Sequence, residues 1–143
     1  MNIEIREIIS NDYSEVLLLW NNELGNCNIN ADNISARFER MNKDKNHKTY
    51  VALFENKVVG FITVVQVIAL EYELGYLKIN GLAVQEIFQQ KEIGTKLLKH
   101  AENYALGNGI SQLLNSGFQR TKAHAFYESK GFDKLSYCFT KEI

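Results

Sequence analysis

The chain has no proline, so no turn in it is set by a locked φ, and each must be built from glycine, asparagine or aspartate. It has no apolar run near the roughly 18 residues that a membrane span requires, so no membrane association is expected. It has no excess of one charge. Sixteen basic residues stand against seventeen acidic ones, for a net charge of −1, and a basic footprint for nucleic acid is missing. The lysines in Met41-Asn42-Lys43-Asp44-Lys45 are interrupted by an acid and read as a solvated loop. The only two cysteines, Cys27 and Cys138, lie far apart and outside any metal-ligand spacing, which suits free thiols. His47 and His100 are isolated, so no metal is expected. The opening Met1-Asn2-Ile3-Glu4-Ile5-Arg6 alternates like a strand and lacks the basic-then-apolar pattern of a signal peptide, so a cytoplasmic location is expected. Internal repeats and low-complexity linkers are also missing.

What is present fits one domain over residues 1–143 with a single expected core, supplied in part by eight Phe, seven Tyr and one Trp. Ser10-Asn11-Asp12 is a helix start, and Val16, Leu17, Leu19 and Trp20 follow at helical spacing. Gly25-Asn26-Cys27-Asn28 breaks that helix, and Asp32 or Asn33 can cap a second one carrying Ile34, Phe38 and Met41. Strands are predicted at Tyr50–Phe54, Val58–Leu70 and Tyr76–Val84, joined by turns at Glu55-Asn56-Lys57 and at Glu71 to Gly75. Gly60 marks a place where the long middle strand can bend. A helix over Gly94–Leu106 ends at Gly107-Asn108-Gly109. A short strand over Ile110–Asn115, a helix over Thr121–Lys130 and a last strand over Ser136–Thr140 complete the pass. The order β-α-α-β-β-β-α-β-α-β implies an α/β (α+β) fold. Strands joined by short turns are antiparallel, and the strand–helix–strand step is parallel, giving a mixed, mostly antiparallel central sheet with helices on both faces.

The segment Ile87-Phe88-Gln89-Gln90-Lys91-Glu92-Ile93-Gly94-Thr95-Lys96-Leu97-Leu98 follows the apolar strand Ile79-Asn80-Gly81-Leu82-Ala83-Val84 and opens a helix. A polar turn there presents free backbone N–H groups and the positive end of the helix dipole, which suits a phosphorylated ligand. The same segment also reads as a plain strand–helix connection.

The element order, with these residues in these places, resembles the GNAT superfamily of acetyl-CoA-dependent N-acetyltransferases over nearly the whole chain. In that family the pyrophosphate loop reads Gln or Arg, two residues, Gly, one residue, then Gly or Ala. Here the pattern falls on Gln89-Gln90-Lys91-Glu92-Ile93-Gly94, with Glu92 in place of the middle glycine. A second match is Ala123-His124-Ala125-Phe126-Tyr127-Glu128-Ser129-Lys130-Gly131-Phe132, similar to the family's late A-x-x-F-Y-x-x-x-G-F helix. Arg120 stands where many members have Asn.

The resemblance implies a parallel strand pair that splays to form the cofactor slot, with acetyl-CoA as cosubstrate. It implies that Leu82, Ala83 and Val84 offer N–H groups to the acetyl carbonyl and the pantetheine arm, the former as an oxyanion donor. It places the diphosphate on the amides of Gln90, Lys91, Glu92, Ile93, Gly94 and Thr95, with the Gln89 side chain and Thr95 hydroxyl as further donors. It assigns Tyr127 as the acid that protonates the leaving thiolate. On the residues alone Tyr127 is equally a core aromatic. Asn115 contacts the cofactor or ends a strand, Arg120 pairs with phosphate or caps a helix, and Lys91 binds phosphate or is solvated. Glu71 and Glu73 are both candidate bases for the amine. The region Asn21 to Asn28 shapes the acceptor pocket in the family, or is a polar loop.

The function expected is acetyl transfer from acetyl-CoA to a primary amine by direct attack, with a small-molecule or peptide acceptor. The alternative is a non-catalytic acyl-CoA-binding module. A nucleotide phosphate-binding protein is disfavoured by the missing Gly-Lys-Ser/Thr. A homodimer through the last strand is allowed but not required.

Overall fold

The computed structural model describes residues 1–24, 29, 31–115, 121–134 and 141–143. The predicted last strand, Arg120, both cysteines and the second half of the Asn-rich segment lie outside these residues, as do the side chains at 31 and 121–124. Five described strands form one sheet in sequence order: β1 (Glu4–Glu7), β2 (His47–Phe54), β3 (Lys57–Ala69), β4 (Tyr72–Val84) and β5 (Leu113–Asn115). The first four pair antiparallel, and β4 and β5 pair parallel, as the connection lengths require. Helices α1 (Tyr13–Leu19) and α2 (Ile34–Lys43) precede β2, α3 (Ile93–Gly107) links β4 to β5, and α4 (Thr121–Ser129) follows β5. A single 3₁₀ turn, Ser10–Asp12, leads into α1, and a π-helical turn, Trp20–Leu24, continues it.

The sheet separates two apolar cores. On one face Ala52, Val59, Ile62, Val64, Leu77 and Ile79 bury against Leu97, Leu98, Ala101 and Ala105 of α3, with Phe126, Tyr127 and Phe132 packed at the margin. On the other, Val51, Leu53, Val58, Phe61 and Ala83 bury against Tyr13, Val16 and Leu19 of α1 and Phe38 of α2.

Two bulges decide which residues face which core. Between β2 and β3 the register shifts at Ala52/Leu53, beside the Gly60 position read as a bend, so that Val58 and Val59 face opposite cores from those strict alternation with Ile62 would give. Between β3 and β4, Thr63 pairs with Gly81 and Val64 with Ile79, leaving Asn80 as the extra residue. Before Asn80 the α3 face takes Leu77 and Ile79; after it, the same face takes Leu82 and Val84.

The predicted turn at Glu71–Gly75 is shorter than expected. β3 runs to Ala69 and β4 begins at Tyr72, so the residues up to Gly75 are an irregularity inside the strand. Gly75 sits at φ +71, and a β-carbon there would meet the Val67 carbonyl oxygen at 1.9 Å, so only glycine fits. The glycine signal was real, but it marked a bulge and not the hairpin tip.

Candidate active site

β4 carries the first part of the site. β5 pairs with it only from Leu77 to Ile79, and Asn115, facing Ile79, is the last described residue of β5. From Asn80 to Val84 no described strand pairs with that edge of β4, which therefore offers main-chain groups to an extended ligand. The bulge at Asn80 stands where the pairing stops.

The chain then passes through a 3₁₀ turn, Glu86–Phe88, and enters α3 through two left-handed residues, Gln90 at φ 59 and Glu92 at φ 66. Such alternations turn successive amides toward one concavity. Glu92 is the N-cap of α3 and makes no side-chain capping bond. The first α3 hydrogen bond runs from Lys96 N–H to the Glu92 carbonyl, so the amides of Ile93, Gly94 and Thr95 have no acceptor within the helix. They carry the positive end of a 15-residue helix. These donors fit a diphosphate, and the open β4 edge fits the amide-bearing arm of coenzyme A. Lys91 is exposed beside them, and the Glu92 side chain is exposed as well.

The Gln89 side chain is already engaged. Its Nε2 donates to the Val84 carbonyl at 2.8 Å and to Glu23 Oε2 at 3.3 Å. Gln89 therefore braces the turn against β4, and its amide donors do not point free at a diphosphate as expected. Glu23, on the π-helical turn after α1, also accepts the Glu86 N–H at 3.1 Å. This carboxylate was not foreseen. Its partners are 63 and 66 residues away, and only a π turn, which no residue pattern announces, brings it round.

α4 closes the site. A β-carbon at Gly94 would lie 3.4 Å from the Phe126 ring and 3.9 Å from Val84 Cγ2, so the turn, the end of β4 and α4 converge at one point. Tyr127 is half-buried, with its ring edge-on to Phe126 at 5.4 Å and to Phe132 at 5.2 Å. The Phe132 N–H bonds the Tyr127 carbonyl at 3.0 Å, fixing the helix end.

Glu73 and Glu71 are not brought to this place. Glu73 lies near the start of β4, nine residues before Leu82, at most about 30 Å along the strand at ~3.3 Å per residue. Glu71 is in the exposed turn beyond it. The strand's length separates both from the Leu82–Val84 end of β4.

Opposite the α3 core, a cavity of about 410 Å³ opens between the sheet and helices α1 and α2. Trp20, Phe38, Met41 and Phe61 wall it, the Thr49 and Thr63 side chains reach it, and Asn80 and Arg37 also line it. The Thr49 hydroxyl donates to that of Thr63 at 2.9 Å. The Trp20 ring stacks on Phe61, and a β-carbon at Gly81 would meet Trp20 Cζ3 at 2.5 Å, so the indole rests directly on β4 beside the bulge. Nearby, Tyr13 donates to Glu39 at 2.9 Å and accepts from Asn42 at 2.9 Å, locking α1 to α2. Burial, reinforced by Glu39, pushes the Tyr13 phenol up from its ordinary pKa. Among the described residues no group of three or more His, Cys, Asp or Glu could hold a metal ion, and no helix is long and apolar enough to cross a membrane.

Comparison with known proteins agrees with this geometry. The profile of the Acetyltransferase (GNAT) family matches residues 5–132. No curated protein matches. Among solved structures, a transcriptional regulator from Bacillus halodurans C-125 superposes at TM-score 0.88 with 21% identity, covering 99% of this chain and 100% of that one. The aminoglycoside acetyltransferase meta-AAC0020 from an uncultured soil metagenomic sample, in complex with sisomicin, gives 0.85 with 21% identity over 99% and 96%. AAC(6')-Iy in complex with the bisubstrate analog CoA-S-monomethyl-acetylneamine gives 0.84 with 12% identity over 100% and 99%. These likenesses establish the fold. With the family profile spanning most of the sequence, the chain belongs to the GNAT family of acetyltransferases.

Proposed function

We propose that this acyltransferase moves an acetyl group from acetyl-CoA to the primary amine of a small molecule by direct attack. The observation that carries the reading is the convergence of Val84, Gly94 and Phe126 around an open β4 edge and an uncapped helix N-terminus. The diphosphate lies on the amides from Gln90 to Thr95. The main chain of Leu82, Ala83 and Val84 pairs with the pantetheine and offers an N–H to the thioester oxygen, where charge grows as the amine attacks. Asn115 flanks the slot from β5. The amine nitrogen forms a bond to the carbonyl carbon, and the carbon–sulfur bond breaks. Tyr127 gives the departing thiolate a proton, since a phenol near pKa ~10 is a weak enough acid to hold it until then. The amine sheds its own proton to water in the cavity beside Asn80, no carboxylate being placed for the task among the described lining residues.

Two measurements test this. Coenzyme A should raise the melting temperature of the purified protein, and acetyl-CoA with an amine panel should release free thiol. Binding with no thiol released from any amine, and no effect of Tyr127→Phe, would leave an acyl-CoA-binding module. No thermal response to millimolar coenzyme A would remove the cofactor reading altogether.

A further inference from the structure

The cavity on the α1/α2 face has a chemistry of its own. Its walls are the rings of Trp20, Phe38 and Phe61 and the thioether of Met41. Among the described residues that line it, none is acidic, and the single charge is Arg37. Arg37 is exposed on α2 and makes no ion pair or hydrogen bond with any described residue. Trp20 Nε1, on the same cavity's wall, is a buried donor with no acceptor among the described residues. Burying an N–H without an acceptor is costly, so a bound acceptor atom would relieve it. Asn80, which also lines the cavity, is the bulge residue of β4 next to the place where the β5 pairing stops.

A polycationic acceptor does not suit these walls. Several ammonium groups need carboxylates or carbonyl clusters, and a lone guanidinium repels them. A planar guanidinium with five unengaged donors is matched by a carboxylate, and aromatic walls are matched by an apolar or aromatic body. We infer, building on the acetyltransferase reading above, that the acceptor is an amine with an apolar or aromatic body and a carboxylate, an aromatic amino acid being the simplest case. The amine lies toward Asn80, the body between Trp20 and Phe38, and the carboxylate meets Arg37. The products are the N-acetyl amino acid and coenzyme A, with the amine's proton and the acetyl group exchanged as written above.

The test compares four acceptors in the thiol-release assay: phenylalanine, its carboxylate-free analogue phenethylamine, spermidine and sisomicin. Phenylalanine should give a kcat/KM about ten-fold above phenethylamine and further above the two polycations, as expected for a charge-assisted bond of ~1.5 kcal/mol or more. Arg37→Ala should raise KM for phenylalanine about ten-fold, with kcat little changed, and bring the phenylalanine-to-phenethylamine ratio toward one. Trp20→Phe, which keeps a ring and removes the N–H, should weaken phenylalanine several-fold. Preference for spermidine or sisomicin, an Arg37→Ala effect equal on all amines, or no turnover of any of the four overturns the inference. A melting-temperature rise with acetyl-CoA, recorded on the same samples, separates that failure from a failure of the cofactor reading. Because Arg37 is exposed, its variant should melt with the parent, which checks that the loss is one of recognition.

Discussion

The two faces of the sheet are held by different forces. On the α3 face the helix is attached by apolar contact: Leu97, Leu98, Ala101 and Ile93 are all at most 2% exposed and pack on strand residues of similar burial. On the α1/α2 face the attachment is partly by carboxylates on backbone amides. Asp12 takes the Ile9 N–H at 2.8 Å and a two-pronged bond from Arg6, Glu15 takes the Val58 N–H at 2.9 Å, and Glu23 takes the Glu86 N–H at 3.1 Å. The same face carries the cavity, the buried threonine pair and the indole donor that has no acceptor among the described residues. Apolar packing is close-fitting and resists change of volume, whereas a few directional bonds fix a helix at points and leave room between them. The α3 face is thus built to keep one shape, and the α1/α2 face to carry a hole.

Several substitutions would break or sharpen this contrast. The largest effect is expected from Leu97→Ala, which should cost about 3 kcal/mol by urea denaturation, while Met41→Ala at the cavity wall costs ~1 kcal/mol, because there the site is already loose. Equal losses would erase the distinction. Tyr127→Phe should lower kcat about 100-fold and leave the KM for acetyl-CoA within about two-fold. Asp12→Ala strands Arg6 and frees the Ile9 amide. It should cost about 2 kcal/mol in stability, with little change in coenzyme A binding once folded. Gly81→Ala sets a methyl 2.5 Å from Trp20. A loss of about 1–2 kcal/mol is expected, with a raised KM for the amine and not for acetyl-CoA. If both KM values rise together, the indole is not confined to the acceptor side. The smallest effect is expected from Glu92→Gly. It relieves a left-handed residue worth ~1 kcal/mol, offset in part by backbone entropy, and removes a carboxylate from the turn proposed to hold the diphosphate. Coenzyme A affinity should rise a few-fold in calorimetry, with the melting temperature unchanged or slightly higher.

Much of this architecture was legible in the residues, because each part of it has a local cause. The β2–β3 turn at Glu55-Asn56, with both residues left-handed, and the α3 helix from its apolar spacing were readable within a residue or two. So was the strand–turn–helix with its unpaired amides at the start of α3, since Gly94 and the run after it are contiguous. The remainder depends on contacts distant in sequence. Gln89 reads as a free donor until Val84 and Glu23 are seen to occupy it. Glu73 reads as close to Val84 because the hairpin leads into the same strand, yet the strand is 13 residues long and the two lie toward opposite ends of it. Arg37 and Trp20 carry no motif at all, and only the packing of α1 and α2 over the sheet makes them neighbours. Backbone bulges were half readable: Gly60 and Gly75 mark two, while Asn80, the one that matters most to the site, has an ordinary side chain.

Asn80 is the residue that the β3–β4 ladder does without. Were it deleted, Ile79 opposite Val64 would be followed directly by Gly81 opposite Thr63, and every later residue would keep its side: Leu82 and Val84 toward α3, Gly81 and Ala83 toward the indole. A chain one residue shorter would therefore spare both cores and lose only the local kink. The extra residue contributes shape and not burial, at the point where the neighbouring strand leaves the edge of β4.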